Sequence, residues 1–212
     1  EFGDPQSVYD TAVNRNPSWI YPAPGSYDPR LIVTNQSGCR DTATTTLTIH
    51  GLPAAGFNAS IACVGHPTYF FDHSDPYLAP VNLWGWRVSD SLGRFLGSMQ
   101  GATPEFVFDS IGNYTVLLTA SDTNQCADTL RAQVMVEPSP LSAFSYNENV
   151  EQVQGQVQFN DGSIGADEYH WDFGNGEISP LASPVMTFTE DGTYTITLVT
   201  LNEEGCSDTT SM

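Results

Sequence analysis

The stretch PVMTFTEDGTYTITLVTLNEEGC, residues 184–206, has two gapless counterparts earlier in the chain: PSWIYPAPGSYDPRLIVTNQSGC at 17–39 and PEFVFDSIGNYTVLLTASDTNQC at 104–126. All three share a proline, an aromatic or apolar pair, a glycine (Gly25, Gly112, Gly192), a tyrosine two residues on (Tyr27, Tyr114, Tyr194), an alternating run, and a cysteine followed two residues later by Asp-Thr. A fixed period is a stronger sign of architecture than local propensity. The chain therefore reads as three copies of one unit, offset by 87 residues (Pro17 to Pro104) and then 80 (Pro104 to Pro184). Inside a copy the apolar period is two, as in Tyr114, Val116, Leu118 and Ala120, or Leu130, Ala132, Val134 and Val136, which marks half-buried strands. Helical periodicity is absent. Short strands with turn signals roughly every 8 to 12 residues predict a seven-strand β-sandwich.

Boundaries follow from the same alignment. Gly51-Leu52-Pro53-Ala54-Ala55 and Pro138-Ser139-Pro140-Leu141-Ser142 occupy equivalent places, and their prolines make short, stiff connections. The expected domains are 1–52, 53–138 and 139–212, standing as a jointed rod. The first copy starts beyond the point where its tryptophan should stand, and Thr209–Met212 stops partway through a strand that the other two complete. The sequence therefore reads as a piece of a longer array.

Charge narrows the function. There are 25 acidic residues against six basic ones, all arginine, for a formal net charge of −19. With no lysine there is no P-loop phosphate site, no Schiff base and no lysine isopeptide cross-link. Nucleic acid is excluded as a partner, because phosphate binding needs a basic face, and anionic lipid would repel the chain. No stretch approaches the length of an apolar membrane span, so direct membrane insertion is not expected. Val, Ile, Thr, Tyr and Phe dominate the apolar segments, the composition of sheets.

Upstream of the last block stands Trp171-Asp172-Phe173-Gly174-Asn175-Gly176, weakly matched at Trp86–Ser91. Both tryptophans are expected in the core on a central strand. The Gly-x-Tyr resembles a tyrosine corner, with the ring of Tyr27, Tyr114 or Tyr194 in the core and its hydroxyl tied to nearby backbone. With these residues the third copy resembles the PKD domain, an immunoglobulin-like sandwich whose hallmark is Trp-Asp-Phe-Gly-Asp-Gly. Asn175 departs from that hexad, the second copy departs at most of its positions, and the first lacks the tryptophan. The resemblance implies an all-β fold of tandem immunoglobulin-like (PKD) sandwiches. The Gly-Cys-x-Asp-Thr ending further resembles PKD repeats of large secreted Bacteroidota proteins, among them gliding-associated adhesins exported by the type IX system.

The same resemblance bears on the cysteines. Cys63 and Cys126 are expected to form a disulfide, since in that subfamily such a pair staples the first strands to the late hairpin. Cys39 would find its partner in the missing part of the first copy. The position matching Cys63 in the third copy is Gln152, which leaves Cys206 as a free thiol or one half of an intermolecular bond. Four buried, unpaired cysteines are the alternative. Disulfides would place the chain outside the cytoplasm.

No catalytic motif is present: no Gly-x-Ser-x-Gly, no His-Glu-x-x-His and no dinucleotide fingerprint. His50, His66, His73 and His170 are scattered without zinc spacing. No cofactor is expected; Asp72, Asp75, Asp161 and Asp167 offer loop oxygens for a structural calcium ion but lack a twelve-residue calcium loop. Asp-Ser/Thr-apolar tripeptides place candidate O-glycosylation sites at Thr11, Thr42, Ser91, Ser110 and Thr129, with Thr209 a looser match, by resemblance to the motif of Bacteroidota exported proteins. Ser91–Thr103 reads as a long loop in which Arg94 and Phe95 are unusual.

Taken together these features predict a non-catalytic structural or adhesive stalk segment on a bacterial surface, outside the outer membrane. Its partners would be neighbouring repeats and, beyond them, surface glycans or proteins, or the secretion and gliding machinery. Two alternatives stand beside it: an accessory array of a secreted hydrolase or protease, and a carbohydrate-binding module. Exposure of Tyr69, Tyr77, Trp84 and Phe95 separates the last from a spacer.

Overall fold

The computed structural model describes residues 1–148 and 155–212, and among them there is no helix. Four short strands come first: β1 (Gly25–Tyr27), β2 (Arg30–Thr34), β3 (Arg40–Thr44) and β4 (Leu47–Ile49). Eight follow: β5 (Phe57–Ala59), β6 (Ala62–Cys63), β7 (Pro67–Asp72), β8 (Val81–Ser89), β9 (Phe95–Gln100), β10 (Glu105–Val107), β11 (Gly112–Asp122) and β12 (Ala127–Glu137). The last seven are β13 (Phe144–Glu148), β14 (Gln156–Asp161), β15 (Glu168–Asp172), β16 (Ile178–Ser179), β17 (Val185–Thr187), β18 (Thr197–Leu201) and β19 (Ser207–Ser211).

The chain divides into two compact units. One comprises Glu1–Gly56, Ser74–Trp84 and Thr119–Leu130, the other Phe57–His73, Gly85–Leu118 and Arg131–Met212. In the first unit β1 pairs antiparallel with β4, and β2 with β3. In the second, the sheet β13-β14-β17 faces the sheet β16-β15-β18-β19. That is the three-plus-four arrangement of a seven-strand immunoglobulin-like sandwich. The sheets β10-β7-β5 and β6-β12-β11-β8-β9 form the other sandwich.

Each sandwich closes on one tryptophan. Trp171 on β15 is 1% exposed and meets Phe144 and Phe159 of the facing sheet at ring separations of 5.0 and 5.5 Å. Trp86 on β8 is 2% exposed and meets Phe57 and Phe70 at 5.0 and 5.6 Å. An indole buries much apolar surface but carries one donor that needs an acceptor. Both find a backbone carbonyl: Trp86 Nε1 donates to Gly101 at 2.9 Å and Trp171 Nε1 to Leu181 at 2.8 Å.

The three tyrosines share one further geometry. Tyr27 Oη donates to Ala23 O at 2.7 Å, Tyr114 Oη to Ser110 O at 2.7 Å, and Tyr194 Oη to Glu190 O at 2.9 Å, in each case four residues upstream. Tyr27 and Tyr114 are buried and Tyr194 half-buried. The hexad Trp171–Gly176 forms a turn: Asp172 Oδ1 accepts from Gly174 N at 2.8 Å and Asn175 Oδ1 from Glu177 N at 3.0 Å. A Cβ on Gly174 would stand 2.7 Å from Thr195 O, at a φ of +70°, so glycine is required there.

One loop reading is corrected. Ser91–Thr103 is not a long loop, because Phe95–Gln100 forms the edge strand β9 against β8. Arg94 pairs with Asp90 at 2.9 Å, and Arg87 lies over the Phe95 ring at 4.7 Å. The two unusual residues thus serve the hairpin that leads into β9.

These contacts set the scale of core substitutions. Trp171→Ala is expected to cost about 3–5 kcal/mol, and Tyr114→Phe, which removes only the corner hydroxyl, about 1 kcal/mol. Urea titrations of the two variants check both values, and similar losses would contradict this account of the core.

Candidate functional site

Three hairpins of identical construction carry three of the four cysteines. The residue four places before the cysteine is Asn35, Asp122 or Asn202, and its side-chain oxygen accepts the cysteine's own N–H at 2.9, 2.9 and 2.8 Å. The backbone N–H of the same residue donates to the cysteine carbonyl at 3.0, 2.9 and 3.0 Å. The residue before the cysteine has positive φ: Gly38 at +82°, Gln125 at +66° and Gly205 at +85°. Asn and Asp side chains favour such turns because they supply the acceptor that the backbone lacks there. In this way the turn fixes the cysteine at the entry of the following strand.

The Asp of Cys-x-Asp-Thr has a separate task. Asp128 Oδ2 accepts from Ala55 N at 2.9 Å, and Asp208 Oδ2 accepts from Ser142 N at 2.8 Å. Ala55 and Ser142 hold equivalent places after the prolines of the two connections. Each aspartate thus holds the connecting segment against its hairpin. The same backbone donors, Ala55 first and then Thr129, hold the Asp128 carboxyl below the usual carboxylate range. In the sequence these aspartates belong to the repeat skeleton and to the glycosylation motif, and neither signals this clamp; the acidic or amide residue four before each cysteine is legible in the same alignment.

The disulfide joins Cys63 to Cys206, with a Cα separation of 5.6 Å. The expected Cys63–Cys126 bond is therefore corrected, as is the free thiol at Cys206; Cys39 and Cys126 are unpaired, the first exposed and the second half-buried. The reason lies in strand direction. β6 pairs parallel to the far end of β12, Val136 with Ala62 and Glu137 with Cys63. Cys126 immediately precedes the near end of β12 at Ala127, eleven extended residues from Glu137, or roughly 37 Å at about 3.4 Å per residue. No disulfide spans that distance. Gln152, read as the counterpart of Cys63, lies outside the described residues.

Around the bond the two sandwiches meet in a small polar joint. Val64 N donates to Glu137 O at 3.0 Å, and Ser139 Oγ donates to Val64 O at 3.0 Å. Asn202 Nδ2 donates to Pro138 O at 2.8 Å. Gly205 lies so close to Ile61 that a Cβ would stand 2.9 Å from Ile61 Cδ1. Cys206 is fully buried.

Among the described residues no three His, Cys, Asp or Glu side chains are grouped as metal ligands. Three of the four calcium candidates accept hydrogen bonds from nearby groups: Asp75 Oδ1 from Tyr77 N, Asp161 Oδ2 from the Tyr169 hydroxyl, and Asp167 Oδ2 from Glu203 N. A cavity of about 850 Å³ beside β14 and β17 has Glu190 and Asp191 in its lining and, among the described residues, neither histidine nor cysteine.

Thr11, Thr42, Ser91, Ser110, Thr129 and Thr209 are all exposed. Ser110 Oγ nevertheless lies 2.8 Å from Tyr114 Oη, so sugar there would compete with the tyrosine corner. Of the four aromatic candidates, Tyr69, Tyr77 and Phe95 are exposed and Trp84 is half-buried. Tyr69 and Phe95 stand on different sheets, on β7 and β9.

The PKD-domain family model matches residues 142–212. A PKD domain occupies this part of the chain. The chain is also 32% identical over 94 residues to the pre-pro-metalloprotease PrtV of Vibrio cholerae serotype O1; the match spans 44% of this chain and a tenth of the protease. Among solved structures it is similar to fibronectin(III)-like modules of Clostridium thermocellum CbhA, with a TM-score of 0.42 and 10% identity over 74% of this chain and 91% of the other. A two-domain fibronectin type III segment of chicken tenascin gives 0.34 and 11% over 76% and 98%. A carbohydrate-binding-module structure gives 0.38 and 13% over 71% and 55%. No helix in the described residues is long and apolar enough to cross a membrane.

Two measurements check the joint. The six arginines place each cysteine in its own tryptic peptide: 31–40, 41–87, 95–131 and the one beginning at Ala132. Digestion without reductant is expected to link 41–87 to the peptide beginning at Ala132; a link between 41–87 and 95–131 would overturn the assignment. The second measurement is pH dependence. A depressed folded-state pKa gives stability that is present above the unfolded value of about 3.9 and lost as pH falls through the folded pKa. Asp128→Asn is therefore expected to flatten the fall of the urea midpoint on acidification below about pH 4, relative to the unsubstituted chain.

Proposed function

We propose that the chain is a non-catalytic structural or adhesive segment of a large bacterial cell-surface or secreted protein. In this reading residues 1–52, 53–138 and 139–212 are tandem PKD-type units of a rod, exported by a type IX system and serving adhesion or gliding. The observation that carries it is the joint: a disulfide, a clamped proline connection and a hairpin are spent on tying one sandwich to the next. A spacer under load needs such a joint. The PKD domain at 142–212 supports a structural or accessory role, since such domains are typically non-catalytic. The acidic surface fits a role in which neighbouring units repel one another and stay extended and soluble. Sugar at the exposed hydroxyls of Thr11 or Ser91 would add to that.

A second reading has its own support. The matched relative is a metalloprotease, which favours an accessory array attached to a secreted hydrolase. A carbohydrate-binding role would rest on Tyr69 and Phe71, alternate residues of β7 that are both exposed; successive odd positions of a strand share a face.

The native polypeptide decides between these. Its intact mass with peptide coverage of both flanks is expected to show a chain several times this length built mainly of similar units. A shorter chain carrying a catalytic domain would overturn the stalk in favour of the accessory array.

A further inference from the structure

The sheet β10-β7-β5 carries on its outer face an aromatic strip that the corresponding sheet of the PKD domain lacks. Alternation along β7 sends Thr68 and Phe70 into the core and leaves Tyr69 and Phe71 46% and 42% exposed. The equivalent strand is β14. Phe57 pairs with Asp72 as Phe144 pairs with Asp161, and Phe70 N donates to Pro104 O as Phe159 N does to Pro184 O, both at 2.9 Å. Tyr69 and Phe71 therefore correspond to Gln158 and Asn160. Gln158 Nε2 donates to Ser183 O and Pro184 O at 3.2 Å, so an amide at that place serves the fold. The buried residues below are kept, Phe70 and Trp86 matching Phe159 and Trp171, while the outer pair changes from amides to rings. The fold does not require exposed rings at these two places.

Register sets the surroundings of the rings. Glu105 on β10 stands directly opposite Tyr69, and Asn58 on β5 directly opposite Phe71. Both are exposed, and residues so paired lie about 5 Å apart. Each ring thus has one hydrogen-bonding side chain beside it, on opposite flanks of β7, and the two rings follow one another at about 7 Å along the strand. Val107, opposite Pro67, extends the apolar surface. Because β7 is the central strand, with β10 and β5 on its two sides, its backbone offers no open edge to an extended peptide. A ligand must be recognised through the face, by flat ring surface and by hydrogen bonds to an amide and a carboxylate. Charge narrows the ligand further: a chain of net charge −19, with Glu105 beside the strip, repels carboxylate, sulfate and phosphate groups.

We propose that Tyr69 and Phe71 form a stacking platform for a neutral, equatorially linked glycan chain, with Glu105 and Asn58 as its hydrogen-bonding partners. This rests on the carbohydrate-binding reading above and gives it a ligand class. A pyranose ring whose hydroxyls are all equatorial turns axial C–H groups to each of its faces. Those weakly positive hydrogens match the negative face of an aromatic ring. The hydroxyls around the sugar's rim meet the carboxylate, which accepts, and the amide, which both donates and accepts. Consecutive sugars of an extended chain present such faces in a row, as Tyr69 and Phe71 present theirs along the strand. An apolar peptide laid on the same strip would strip water from Glu105 and Asn58 and return no partner, which is unfavourable.

The test titrates the whole chain, residues 1–212, with cellohexaose and xylohexaose, which are neutral and all-equatorial, and with a hyaluronan hexasaccharide as their acidic counterpart. Calorimetry is expected to show saturable binding of the two neutral oligosaccharides and none of hyaluronan. Tyr69→Gln combined with Phe71→Asn, the pair found at the matching places of the PKD domain, is expected to weaken binding at least about tenfold with the urea midpoint little changed. In the unsubstituted chain the ring proton resonances of Tyr69 and Phe71 are expected to shift on saturation, a readout that needs no variant. Binding that leaves those resonances in place, or that survives the double substitution, would overturn this site while the carbohydrate-binding reading stands. Preference for hyaluronan would overturn the neutral ligand. Failure of both neutral glycans to bind would overturn the site and that reading together, whereas the stalk is decided separately by the mass and flanks of the native polypeptide.

Discussion

A side-chain oxygen four residues before a cysteine holds the organisation of this chain together. In Asn35, Asp122 and Asn202 it accepts the cysteine N–H and closes a tight hairpin. The closure sets where the strand begins, places the aspartate two residues later against the connecting segment, and orients the thiol. A single accepted hydrogen bond contributes only about 1 kcal/mol net. Its effect here is large because a clamp and a covalent bond depend on the geometry it fixes.

The cores obey an independent constraint. Each sandwich buries one indole between facing phenylalanines and answers its N–H with a carbonyl from a loop, Gly101 or Leu181. That carbonyl ties a connecting segment to the centre of the fold, so loop position and core packing are set together. The tyrosine corners also tie a turn to their strand, each binding a carbonyl four residues back.

Much of this was legible in the sequence, and the failures have definite causes. Period-two alternation, glycine before tyrosine and a buried tryptophan are local signals, and strands, corners and cores are local consequences of them. The cysteine pairing was not local. The sequence shows that Cys63 precedes an early strand, but which end of the sandwich that places it at depends on β6 running parallel to β12, a pairing with no signal of its own in two residues. Ser91–Thr103 was misread for a related reason: glycine and serine at Gly93, Gly97 and Ser98 suppress strand propensity, and only pairing with β8 reveals β9. The aspartates after the cysteines are visible as part of the repeat and of the glycosylation motif, but their clamp is not, because a side chain that binds the backbone of a distant connection leaves no trace in spacing.

The Cys63–Cys206 bond also changes how the chain would respond to being pulled. It encloses a sequence separation of 143 residues, which fully drawn out would amount to roughly 480 Å of contour at about 3.4 Å per residue. With the bond intact, tension applied at the two ends bypasses that length and is carried through two sulfur atoms. Only the segments outside the loop can unravel and dissipate energy. Extensibility in this region is therefore set by redox chemistry, whatever the strength of the sheets inside the loop.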